Sequence, residues 1–147
     1  MAEPRDRADV EFFTEVGIID QLVTHRLEGV LPDGLSVAGF GVLNHLARLG
    51  RISHPLALAQ AFQVSKGAMT NTLQRLEAAR FVRVTADPAD GRRKRVELTA
   101  EGAAAHQASL LAARPRLESL RGAFGAAEFE AALPFLRRLR AWLDAHR

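Results

Sequence analysis

The hydrophobic period of this chain changes twice, and the change restricts what it can build. Apolar residues recur at helical spacing up to about Ala79 and again after Thr99. Between these stretches, residues 81–86 (FVRVTA) and 94–98 (KRVEL) alternate with the period of a strand. The intervening DPADGRR carries Asp90-Gly91, a pair that favours a hairpin turn. The pattern predicts one antiparallel hairpin, with Val82, Val84, Val96 and Leu98 inward, in an otherwise helical chain.

Six helices are predicted around it. The first covers residues 9–28, where Phe12, Val16, Ile19, Val23 and Leu27 form a stripe widened by Phe13 and Leu22. Residues 1–8 are polar, contain Pro4 and are expected to fray. Pro32-Asp33-Gly34 breaks the helix. Ser36 caps the second, with Phe40, Leu43, Leu46 and Ala47 inward, and Gly50 ends it. Ser53 with Pro55 starts a short third helix that turns Leu56 and Ala59 inward. Ser65 caps the fourth, which runs to about Ala79 and buries Met69, Leu73 and Leu76. Thr99 caps the fifth, running to about Leu120, with Pro115 expected to kink or interrupt it. The sixth covers 126–145, where Phe129, Ala132, Leu136, Leu139 and Leu143 make a seam suited to a partner helix and Pro134 is expected to bend it.

The charge is concentrated. Residues 65–99 hold eight basic and four acidic groups, whereas the whole chain of 147 residues carries 20 and 17. The excess positive charge therefore lies in one quarter of the chain, on a body that is otherwise near neutral. That is the footprint of a polyanion binder, although a solvated charged face would look the same on charge alone.

Residues 36–98 thus read as three helices followed by a hairpin, a winged helix-turn-helix lobe. The fourth helix presents Lys66, Thr70, Asn71, Gln74 and Arg75 on one face. Asn and Gln can bridge adenine edges, Lys can reach guanine, and Thr can touch a thymine methyl or a phosphate. Ser65 caps its start, and Gly67 lets the helix N-terminus approach a phosphate backbone. The hairpin tip brings consecutive Arg92, Arg93, Lys94 and Arg95, a set suited to the minor groove, with Asp90 placed to orient the Arg92 guanidinium.

Residues 81–102, FVRVTADPADGRRKRVELTAEG, resemble the wing and following helix start of the MarR family of bacterial transcriptional regulators. The matching positions are Asp90, Arg92, Leu98, Thr99 and Gly102. Upstream, VSKGAMTNTLQRLEAARFV is similar to the family's recognition helix, with its Leu-Glu pair at Leu76-Glu77. The resemblance implies a mainly α chain forming a single domain over 1–147. Its winged helix-turn-helix lobe spans 36–98, with a two-stranded wing, and its dimerisation helices lie in 9–30 and 100–147.

It also implies a ligand-responsive regulator, a repressor by expectation, that binds double-stranded DNA as a homodimer on a pseudo-palindromic operator. The Arg matching Arg92 would enter the minor groove, supported by a salt bridge from the Asp matching Asp90. A small aromatic or anionic effector is expected, with Phe13, Val16, Leu43 and His45 as candidate lining that reads equally as core. The chain departs from the family at Arg80, where Gly usually ends the recognition helix in a left-handed conformation. Either the turn is built differently or Arg80 makes a compensating contact, for example to phosphate. The rival reading is a dimer that binds small molecules or proteins and has lost its operator.

Other chemistry finds little support. The chain has no cysteine, which excludes thiol nucleophiles, cysteine metal sites and thiol redox sensing. Its five histidines form no metal-binding spacing, although zinc sensing in some relatives keeps His45 and His106 in view. No phosphate loop, nucleophile elbow or carboxylate couple appears, so neither an enzyme nor a cofactor is expected. The charged N-terminus lacks a signal-peptide pattern and no apolar run is long enough to span a membrane, so the cytoplasm is the expected compartment and no membrane partner is expected.

Overall fold

The computed structural model describes residues 4–146. Its elements run α1 (Pro4–Glu28), α2 (Val37–Arg48), β1 (Ile52–Ser53), α3 (Pro55–Phe62), α4 (Lys66–Ala78), β2 (Val82–Ala86), β3 (Lys94–Leu98), α5 (Ala100–Ala123) and α6 (Ala126–Ala145). The mainly helical winged helix-turn-helix architecture is the expected one. The core lies inside the lobe formed by α2 to β3, where Val42, Leu43, Leu46, Leu58, Met69, Leu73, Leu76, Val82, Val96 and Leu98 pack together, with Ala105 of α5 closing one side.

Several local expectations need correction. Of residues 1–8, the first three lie outside the described residues and the rest are helical; an Arg7–Glu11 ion pair at 2.9 Å supports that turn. On α3 it is Leu58 that is buried, while Leu56 is exposed. Ala47 is exposed and Val42 takes the core position. Which apolar residue of each helix is buried is set by how the helix seats on the lobe, and the cap residue does not reveal it. The third helix is preceded by His54 rather than Ser53.

Ser53 instead belongs to a third strand. The sheet order is β1-β3-β2, all antiparallel, with Ile52 opposite Glu97 and Ser53 opposite Val96. The chain reaches β3 through two consecutive left-handed residues, Gly50 (φ 94°) and Arg51 (φ 74°). There the Arg51 amide donates to the Leu46 carbonyl at 2.7 Å, and the Leu98 amide donates to the Arg51 carbonyl at 2.8 Å. Pro115 does not interrupt α5, which continues to Ala123. The proline removes one amide donor on an exposed helix, and the Leu111 carbonyl it leaves without that donor can turn to water.

The end of α4 decides how the wing leaves the helix. Ala79 caps α4, and Arg80 follows in the left-handed region at φ 63°. The Arg80 amide donates to the Glu77 carbonyl at 2.9 Å, and the Phe81 amide donates to the Leu76 carbonyl at 2.9 Å. These bonds form a Schellman motif with a non-glycine residue at its left-handed position. The turn is therefore built as it would be with Gly. Arg80→Gly is expected to stabilise the protein, because relief of the left-handed strain exceeds the added entropy of the unfolded glycine. A rise in Tm of roughly 2–3 °C in a thermal melt is the expected result.

Polar contacts add to the apolar packing in binding α5 to the lobe. The Thr99 hydroxyl accepts from the Gly102 amide at 2.9 Å and faces the Arg80 and Phe81 carbonyls at 2.7 and 3.0 Å. Farther along, His106 is 6% exposed, stacks on Phe40, and bonds through Nε2 to Asn44 Oδ1 at 3.0 Å. Burial pushes the His106 pKa below its ordinary value of 6.5. The unfolded chain therefore takes up this proton before the folded one. Stability is complete above the ordinary histidine pKa and declines as pH falls through the range below it. Thermal melts from neutral to mildly acidic pH should show this decline in the wild type, and a flatter profile in His106→Gln.

Candidate nucleic-acid interface

Helix α4 sorts its residues by face. Met69, Leu73 and Leu76 are buried, while Lys66, Thr70, Asn71, Gln74 and Arg75 are exposed. Ser65 Oγ accepts from the Ala68 amide at 3.1 Å, which commits one of its lone pairs to the cap. The Thr70 hydroxyl donates to the Lys66 carbonyl at 2.8 Å, leaving its methyl outward. Among the described residues, no hydrogen bond engages the side chains of Asn71 or Gln74. Around Gly67 there is open space within 4 Å of where a Cβ would sit, so no packing demand explains glycine there.

The tip of the wing is closed by backbone bonds. The Asp87 amide donates to the Arg93 carbonyl at 2.9 Å, and the Arg93 amide donates to the Asp90 carbonyl at 3.0 Å. Asp90 behaves differently from expectation. Its Oδ1 accepts from the Arg92 backbone amide at 3.1 Å, and among the described residues no ion pair joins it to the Arg92 guanidinium. A carboxylate two residues before an amide closes that short ring more readily than it reaches a long, exposed guanidinium. Arg92 and Arg93 are exposed on the tip, and Lys94 is exposed at the start of β3. Arg95 is the exception in the basic run: alternation along β3 turns it toward Glu97, 3.5 Å away, and leaves it half-buried.

Between α4 and the wing lies a cleft of about 490 Å³. Lys66, Thr70 and Gln74 line its helix side, and Arg92, Arg93 and Lys94 line its wing side. The structure thus brings the two sequence-predicted groups together around one concavity. Asn71 and Arg75 stand outside it on the same helix.

Three residues position these groups through contacts that the sequence does not reveal. Glu77 Oε2 accepts from the Val84 amide at 3.0 Å and ties α4 to β2. His54 Nδ1 lies 2.8 Å from the Lys94 carbonyl, and its Nε2 lies 3.6 Å from Asp87 Oδ2. His54 and Asp87 are too far apart in the chain for spacing to reveal the pair. The effector candidates do not gather into a site: Leu43 is core, whereas Phe13 and Val16 lie on the exposed face of α1. Among the described residues, no cluster of metal-ligating side chains includes His45 or His106.

The model of the MarR family matches residues 33–93, which span α2, β1, α3, α4, β2 and the wing tip. The winged lobe of the chain is thus similar to the MarR family. Solved structures agree over nearly its whole length. A mutant of E. coli MarR complexed with operator DNA is 25% identical, covers 90% of this chain and 95% of its own, and superposes with a TM-score of 0.71. Wild-type apo MarR from E. coli is 26% identical over 86% of this chain and 93% of its own, with a TM-score of 0.71. BpsR of Bordetella bronchiseptica, whose DNA binding is regulated by 6-hydroxynicotinic acid, is 25% identical over 88% of this chain and 98% of its own, with a TM-score of 0.70. A comparison with curated proteins found no match. The chain shares the fold of these proteins, one of which is complexed with operator DNA. No described helix is long and apolar enough to cross a membrane.

Proposed function

We propose that the protein is a cytoplasmic, ligand-responsive repressor that binds a pseudo-palindromic operator as a homodimer. The observation that carries this reading is the shared cleft, in which the polar face of α4 and the basic wing tip converge. In this reading the chain works as one unit. Its 36–98 lobe contacts DNA, and the helices within 9–30 and 100–147 hold two copies together. Asn71, Gln74, Thr70 and Lys66 set base preference in the major groove, while Ser65, Gly67 and Arg75 approach the flanking phosphates. Arg92 and Arg93 engage the minor groove or its phosphates, and Asp90 shapes the tip through the Arg92 amide. The dimer is supported by exposed apolar side chains on α1, including Phe13, Ile19 and Leu22, and on α6, including Phe129, Leu136 and Trp142. The effector is a small aromatic or anionic molecule, the class to which the ligand of BpsR belongs.

Selection of bound duplexes from a random pool, followed by a salt titration on the enriched sequence, tests the reading. The expected results are a two-fold symmetric consensus and an affinity that falls steeply with salt, because displaced counterions accompany each phosphate contact. Asn71→Ala should cost about 1–3 kcal/mol at one base position and leave the others unchanged. No enrichment, or an affinity indifferent to salt, would overturn the proposal.

A further inference from the structure

Apolar packing of the hairpin against the helices stops short of its tip. Val96 is buried and Val84 is half-buried, but Thr85, Ala86 and Lys94 beyond them are exposed. A two-stranded ribbon extending past its core contacts is free to bend unless something else holds it. Glu77 ties β2 at Val84, which is where the apolar contacts end. Past that point, the wing is joined to the helical lobe through His54.

His54 is well placed for the task. It precedes Pro55, and a residue before proline is restricted to extended backbone; its φ of −122° and ψ of 149° fall there. Its backbone is therefore set before the ring makes any contact. The ring reaches both ends of the tip loop, at the Lys94 carbonyl and the Asp87 carboxylate. Asp87 in turn accepts through Oδ1 from the Ala89 amide at 2.9 Å and donates its own amide to the Arg93 carbonyl. The side chains of His54 and Asp87 are only 28% and 13% exposed, so water competes weakly for these contacts.

We propose that His54 is the positioning residue of the wing. By holding the Lys94 carbonyl and Asp87 together, it sets the separation between α4 and the basic tip, and so the span across which Lys66 and Arg92 face one another. The inference rests on the DNA-binding reading for its consequence but not for its geometry.

The test compares wild type, His54→Ala and His54→Asn by hydrogen exchange and by binding to a mixed-sequence duplex of about 30 base pairs at low salt. The Asn side-chain amide can restore the Lys94 bond but not the Asp87 contact. His54→Ala is expected to speed exchange at the Asp87 and Arg93 amides about tenfold, with α2 and α4 unchanged. Duplex affinity should fall severalfold, and His54→Asn should recover part of both effects. Unchanged exchange at Asp87 and Arg93 in His54→Ala would overturn the proposal, as would a loss of protection spread evenly through the core. If wild type fails to bind the duplex, the DNA reading fails and the exchange result alone decides the role of His54.

Discussion

Gly102→Ala is expected to destabilise the fold by about 3 kcal/mol or more, at or beyond the upper end of the usual range for a small-to-large change at a buried site. A Cβ at this position would overlap the Phe81 carbonyl oxygen and stand 2.8 Å from its carbon and 2.9 Å from Leu98 Cδ1. The obstruction is backbone and cannot rotate away. The same carbonyl accepts from the Thr99 amide at 3.2 Å, so displacing it disturbs the junction of wing and α5 from both sides. Gly67→Ala is the matched control. It adds a methyl to open space on α4 and should be neutral to slightly stabilising through helix propensity. Urea unfolding followed by circular dichroism measures both, and a Gly102→Ala midpoint close to wild type would refute the steric argument.

The second large effect concerns the wing. Replacing Arg92 and Arg93 together by Ala should weaken DNA binding on the order of a hundredfold at low salt. It should also flatten the dependence of log affinity on log salt by about 2, the value for two lost phosphate contacts on duplex DNA. Both residues are exposed on a loop closed by backbone bonds, so stability should change little. Arg137→Ala with Arg138→Ala removes the same charge from exposed positions on α6 and should leave the salt slope unchanged. If both pairs lower affinity equally, general positive charge rather than the wing carries the binding.

Most of the winged lobe was readable in one dimension. The period change located the hairpin within a residue, because β2 and β3 are each half-buried ribbons and half-burial writes itself as alternation. Met69, Leu73 and Leu76 were assigned to the core for the corresponding helical reason. Ser36, Ser65 and Thr99 cap the helices they precede, since each cap bond spans only three residues. The polar face of α4 was legible by the same spacing rule that identified its buried face.

What remained hidden depends on contacts between distant segments. The two-residue strand β1 is too short to show alternation and exists because β3 offers it an edge. Leu56 and Leu58 are equally apolar, and only the seating of α3 on the lobe decides which is buried. Arg95 belongs to a continuous basic run, yet strand pairing removes it from the exposed tip. Asp90 chose a backbone amide over a guanidinium because the turn geometry presents the amide first.

Local periodicity and capping, set by bonds a few residues long, therefore determined the order of elements and the faces of α4 and the wing from the sequence alone. The tertiary structure decided how far apart those faces stand. That separation depends on His54, Asp87, Glu77 and Gly102, whose partners are remote in the chain and meet only when the helices pack.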